Sequence, residues 1–216
     1  MALRALTQAW KQRFARLRRQ ARDESGLAAV EFAMLLPFMI TLFFGVVESS
    51  LALLCRADVS KMAGTAADLI SQASATSSSD ISNVYSAAGT ILYPYYDPSA
   101  YSPAVLPTVR PTIRLTSVID DGSGAAGKDH MTGKVAWTCT QSGSGTLTPS
   151  SRTVDSTVTL PQPMMTDGGS LIIAEIAYNY TSPTTKVIAG PINFTNNFYT
   201  KPRRVVQIPA PTGGCP

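Results

Sequence analysis

The 216-residue chain is long enough for one domain with a buried core, alone or with an appendage. Its 44% hydrophobic and 15% charged residues exclude charge-driven disorder and a Glu/Lys-rich coiled coil, and 15 Gly with 15 Pro argue against an all-helical bundle. The net charge of +4 is unevenly spread: residues 1–26 hold seven of the 18 basic and two of the 14 acidic residues, leaving eleven basic against twelve acidic in the rest. The basic surplus thus belongs to the N-terminal segment, which argues against a nucleic-acid-binding fold.

That segment supplies Arg4, Lys11, Arg13, Arg16, Arg18, Arg19 and Arg22, and an apolar stretch over 27–54 follows it, with no charge at all between 32 and 47. As a helix this stretch measures about 42 Å at ~1.5 Å per residue, more than the ~30 Å of a hydrocarbon layer. By the positive-inside rule the basic segment stays cytoplasmic and everything beyond about residue 55 lies on the far side, as for a bacterial inner membrane facing the periplasm. A cleaved secretory signal peptide or a plain signal anchor is the alternative. The apolar run exceeds the roughly 7–15 residues of a signal-peptide core, and Glu31 lies just inside it, where an unpartnered carboxylate is costly and marks a functional candidate. Pro37 removes one helical hydrogen bond and either permits a kink or is a neutral membrane proline.

The junction reads Glu24-Ser25-Gly26-Leu27-Ala28-Ala29-Val30-Glu31-Phe32. It resembles the substrates of prepilin peptidases, whose signature is a basic leader ending in Gly, an apolar stretch after the cut and Glu at the fifth mature position. A cut between Gly26 and Leu27 makes Glu31 the fifth mature residue and Phe32 the aromatic after it. More narrowly, Gly-x-Ala-Ala-Val-Glu-Phe-Ala followed by Leu-Leu-Pro is similar to the TadE/TadG-like minor pilins, or pseudopilins, of the tight-adherence (Flp, type IVc) pilus. The major Flp pilins are far shorter, so the length favours a minor subunit. The resemblance implies processing at Gly26 and Leu27 by a prepilin peptidase, and an assembly role for Glu31 and Phe32. The partners it implies are other minor pilins, the major Flp pilin, an inner-membrane assembly platform and membrane lipid, with no cofactor, metal, catalysis or nucleic acid. In a filament core an unpaired carboxylate is costly, and the amine freed on Leu27 would supply the missing cation.

Beyond Glu48 the pattern becomes amphipathic. Val59, Met62, Ala63, Ala66, Leu69, Ile70 and Ala73 recur at helical spacing, while Arg56, Asp58, Lys61 and Asp68 lie off that stripe. The run 74–79 ends the helix, and Asp80 is expected to cap a short helix over 81–88. Residues 93–107, with Tyr93, Tyr95, Tyr96, Tyr101 and four prolines, read as a loop that either forms a contact surface or packs on the sheet. Strands are expected over 112–120, 134–141, 170–180 and 203–208, with a weaker one within 153–160. Val135, Trp137 and Cys139 would share one face, as would Ile172, Ala174, Ile176 and Tyr178, giving antiparallel strands with one covered face. The segments 174–180 and 198–204 also look like TadE-type C-terminal regions. The expected fold is α+β and type IV pilin-like: a long N-terminal transmembrane helix running into a periplasmic head with a short antiparallel sheet. The corresponding domains are a leader over 1–26, a transmembrane and spine helix over 27–75 and a head over 76–216.

Other chemical signals carry less. Gly122 to Lys128 match the first seven positions of a phosphate-binding loop, but Asp129 stands where a magnesium-binding hydroxyl is needed and a strand pattern follows, so a glycine-rich hairpin turn is expected. Asp121-x-Ser123 resembles part of an adhesive metal-binding motif whose third hydroxyl position is Ala125 here. His130, the sole histidine, has no nucleophile near it in sequence and reads as a surface residue. The glycosylation-type triplets at Asn179 and Asn193 carry no weight in a bacterial periplasmic protein. Of the three cysteines, Cys55 at the membrane end of the helix is expected to be a buried free thiol, and Cys139 and Cys215 to form a bridge that pins the tail. Two unpaired cysteines are the alternative. The functional expectation is a minor pilin acting structurally in pilus assembly, priming or tip formation. The competing classes are an uncleaved single-pass periplasmic adaptor or sensor and a tethered enzyme, for which the sequence offers no convergent polar constellation.

Overall fold

The structure, a computed structural model, describes residues 25–96, 110–124, 127–184, 187 and 190–216. Residues 1–24, expected to belong to a leader, and Tyr101 and Ala125 lie outside the described residues. The described chain falls into two compact units, one ending at Val47 and the other spanning Glu48 to Pro216.

Helix α1, Ser25–Ser71, begins in the first unit, where it is long and apolar enough to cross a membrane. There it exposes Leu27, Phe32, Met34, Leu35, Phe38, Leu42 and Phe43, a composition that water would not tolerate on an isolated surface. Pro37 lies inside the helix, and the Thr41 hydroxyl donates to the Pro37 carbonyl at 2.8 Å.

In the second unit α1 has a buried face made by Glu48, Ala52, Cys55, Val59, Met62, Ala63, Ala66, Ala67 and Ile70. The steps of three and four residues keep these on one side of a helix. Leu69, expected in the stripe, is 38% exposed because it is rotated about 100° from Ile70, and Ala73 lies past the end of the helix. Helix α2, Ser78–Gly89, is capped by Ser77, whose hydroxyl accepts from the Asp80 N–H while the Asp80 carboxylate accepts from the Ser77 N–H. Asp80 is therefore the third residue of a capping box and not the cap itself, which moves the helix start from 81 to Ser78.

Among the described residues five antiparallel strands follow: β1 Thr112–Ile119, β2 Thr132–Gln141, β3 Thr157–Thr159, β4 Ser170–Tyr180 and β5 Ile192–Thr200. They lie in the order β3-β2-β1-β4-β5. One face of the sheet, with Ile113, Leu115, Trp137, Cys139, Ile172, Ala174, Ile176 and Tyr178, joins the buried side of α1 and Ile81, Tyr85 and Ala88 of α2 in one core.

Three expectations about the sheet are corrected. First, both faces of the central strands are covered: Val118, Val135, Val158, Leu160, Met165, Leu171 and Ile173 form a second core, because the excursion between β2 and β4 folds back over the sheet. Second, Val135 does not share a face with Trp137 and Cys139. Ser117 pairs with Trp137 but Val118 pairs with Val135, so Ala136 is an extra residue and this bulge turns Val135 to the opposite side. Third, 203–208 is irregular, and the edge strand is β5 instead. The Arg203 N–H donates to the Ser71 carbonyl at the end of α1, and the Ile208 carbonyl accepts from Trp137 Nε1 at 2.9 Å, so this segment is fastened without a ladder.

Candidate functional site

Gly26 and Leu27, the proposed processing junction, lie in the first turn of α1. Among the described residues, leaving aside its chain neighbours and the backbone of its own helix, no atom lies within 4 Å of where a Gly26 Cβ would sit, and Leu27 and Phe32 are more than half exposed. Glu31 is exposed too, with no ion pair or hydrogen bond among the described residues. Leu27 and Glu31 are four residues apart on one helix, which puts them on the same face one turn from each other. Glu31 is the one charged residue between Leu27 and Val47 on a predominantly apolar helix.

Charge inside the second unit is organised differently. Glu175 of β4 is fully buried and accepts from Arg114 Nε of β1 at 2.6 Å and from Arg152 Nε and Nη2 at 2.9 and 2.7 Å. Arg114, itself 1% exposed, also donates to the Pro149 carbonyl at 2.7 Å. Burial alone would raise the Glu175 carboxyl, but hydrogen bonds from Arg152 and Arg114, with their charges, hold it below the usual carboxylate range. The register sets Arg114 directly opposite Glu175. This trio fastens the 149–152 segment to the sheet and is a structural clamp. Sequence reasoning missed it, although an arginine in TIRLTSVI and a glutamate in LIIAEIAY, each alone in an apolar strand, were the available signal.

Among the described residues Glu48 is a second buried carboxylate. It accepts from the Thr184 hydroxyl and from the Val187 N–H, the latter at 3.1 Å.

Asp120, Asp121 and His130 come together in the β1–β2 turn, with one potential ligand atom from each lying within 4.8 Å of the others. Asp120 accepts the N–H groups of Gly168 and Gly122 at 2.7 and 2.9 Å, and these bonds hold its carboxyl below the usual range. Asp121 is lowered likewise by its bonds from Ser123 and Thr132. His130 Nε2 is 2.9 Å from Asp120 Oδ1, but neither ring nitrogen is aligned for a hydrogen bond. The carboxylates are used to brace a turn in which Gly122 and Gly127 adopt positive φ, and β2 follows where a phosphate-binding loop needs a helix. Nothing in this arrangement unites a nucleophile with a base.

Cys139 and Cys215 are joined by a disulfide, and Cys55 is a buried free thiol. The tail is further held where Thr212 exchanges backbone hydrogen bonds with Thr76 and Ser78 at 2.9 and 3.0 Å. Tyr93, Tyr95 and Tyr96 divide in role: Tyr95 O–H donates to the Leu51 carbonyl at 3.0 Å and its ring packs on Tyr180, whereas Tyr93 is 67% exposed.

Compared with known proteins, residues 26–68 match the family model described as TadE-like protein. No curated protein and no solved structure matches the chain.

Proposed function

The N-terminal region of the chain belongs to the TadE-like family, and from that premise we propose that the protein is a minor pilin that acts structurally in building a tight-adherence pilus. The observation that carries the reading is the start of the family match at residue 26, the residue before the proposed cut, and its continuation through Glu31 to residue 68. The membrane-anchoring helix supplies the apolar surface that such a subunit needs, first in the bilayer and then against neighbouring helices.

In this reading residues 1–26 are a cytoplasmic leader, 27–75 anchor and spine, and 76–216 a periplasmic head. A prepilin peptidase cuts between Gly26 and Leu27. The new amine lies one turn from Glu31, and pairing the two, within one subunit or between neighbours, removes the cost of carrying a bare carboxylate into a helix-packed core. Other minor pilins, the major Flp pilin and an inner-membrane assembly platform are the partners, and the subunit primes assembly or sits at the tip.

N-terminal sequencing of the protein recovered from pilus-bearing cells tests the reading. A mature terminus at Leu27 is expected. An intact Met1, or a cut beyond residue 45, would remove the pilin reading, and an intact Met1 would favour an uncleaved single-pass adaptor or sensor. Gly26→Trp is expected to block the cut and leave the precursor at full length, since Gly at this site leaves room for the peptidase to approach the backbone.

A further inference from the structure

We propose that the base of the head, formed by Tyr93 and Val187 around α1, rests in the interfacial layer of the bilayer and uses the lipid surface as a second anchor. The argument begins with length. From Leu27 to Val47 an α-helix rises about 30 Å, the thickness of the hydrocarbon layer. Glu48 is the next residue in α1, and the next charge along the helix is Arg56. At about 1.5 Å per residue, Glu48 and Leu51 fall within roughly 6 Å of the hydrocarbon edge, inside the layer of headgroups.

Two distant segments of the head are tied to the helix at these two residues. The Val187 N–H and the Thr184 hydroxyl donate to the buried Glu48 carboxylate, and the Tyr95 hydroxyl donates to the Leu51 carbonyl. The first tie is made by the backbone of Val187, itself 46% exposed, and the second by Tyr95, two residues from Tyr93, which is 67% exposed; on the helix itself Leu53 is 64% and Leu54 58% exposed. A carboxylate at the edge of hydrocarbon must be hydrogen-bonded, and the loop that satisfies Glu48 is the loop that presents Val187. Tyrosine at this depth suits an amphipathic boundary. The partner is therefore a lipid surface, and the inference holds whether or not the leader is cut.

The test uses the full chain with Cys55→Ala and its disulfide intact, reconstituted in vesicles of phosphatidylethanolamine and phosphatidylglycerol. An environment-sensitive fluorophore is placed at Val187→Cys, at Tyr93→Cys or, as a control, at Val206→Cys. Val206 is 70% exposed in the segment tied to Ser71, at the far end of α1. Lipids carrying a nitroxide near the headgroup should quench the probes at 187 and 93 at least about twofold more than at 206, with blue-shifted emission, as for side chains in the interface. Equal quenching at all three positions would overturn the proposal. Should a labelled variant not fold, photoactivatable lipids applied to the unmodified chain decide the matter. Crosslinks in peptides bearing Tyr93 or Val187 support the proposal, and crosslinks confined to α1 refute it.

Discussion

Glu31 and Glu175 carry the same carboxylate in opposite circumstances. Glu175 is surrounded by its cations inside the fold, whereas Glu31 stands exposed on α1 with its proposed cation not yet made. Glu31→Ala should therefore leave processing and membrane insertion intact and abolish association with partner subunits, as read by co-purification. Normal piliation would show the ion pair to be dispensable, and loss of cleavage would move the role of Glu31 to peptidase recognition. Glu175→Ala strands two arginines, one fully buried, and is expected to cost about 3–5 kcal/mol in urea unfolding of the full chain. Because the folded-state pKa of Glu175 is lowered, its stabilisation is complete above the unfolded value of about 4.3 and is lost as pH falls through the folded value. Glu175→Gln should remove that part of the acid limb. A buried pair of this kind cannot be located from one sequence, since partnership depends on a register that no local pattern encodes, while the Glu31 motif is legible because it is confined to adjacent residues.

At the scale of elements, small residues set how closely backbones approach, and the same chemical change has opposite consequences at two glycines. Gly64 faces Phe198 of β5, and an added Cβ would lie 3.7 Å from the ring, an ordinary contact. Gly64→Ala should raise stability by about 0.5–1 kcal/mol through helix propensity alone. A Cβ on Gly145 would fall 2.1 Å from the Ala177 backbone. Gly145→Ala is expected to cost about 1–3 kcal/mol, since a backbone must move. Thermal unfolding of the two variants should shift in opposite directions, and a shared direction would overturn the contrast in packing between the two sites. The elements most legible in the sequence were those with a strong period: α1 at 3.6 residues, and β4, whose alternation gave its bounds of 170–180. Strand β5 was hidden because Asn196 interrupts the apolar alternation of Ile192, Phe194 and Phe198, and its inner face is finished by Phe198 against Gly64 and by the Asn196 amide donating to Ser60. The bulge at Ala136 is likewise a property of the β1–β2 pair and not of β2 alone.

Across the whole molecule, the second unit is fastened by residues 208–215. The disulfide between Cys139 and Cys215 encloses a separation of 76 residues, within which β3, β4 and β5 are formed. On the chain-entropy model, closing a loop of this length stabilises by roughly 3–5 kcal/mol. The tail has other fastenings, however. Ile208 is fully buried, its carbonyl accepts from Trp137, and Thr212 is bonded to Thr76 and Ser78 beside the start of α2. These contacts hold the tail only once the sheet exists, whereas the bridge also restricts the unfolded chain, so the two contributions separate in experiment. Cys215→Ser should lower the unfolding free energy by about 3–5 kcal/mol in oxidising conditions, yet leave the fluorescence of folded Trp137 unchanged. Hydrogen exchange should show the Thr212 amide losing protection while amides of β1 and β4 keep theirs relative to global unfolding. If wild type and Cys215→Ser unfold at the same denaturant concentration without reductant, the tail is held by packing and backbone bonds alone. If Trp137 is perturbed as well, the bridge shapes the folded core in addition to shortening the unfolded chain.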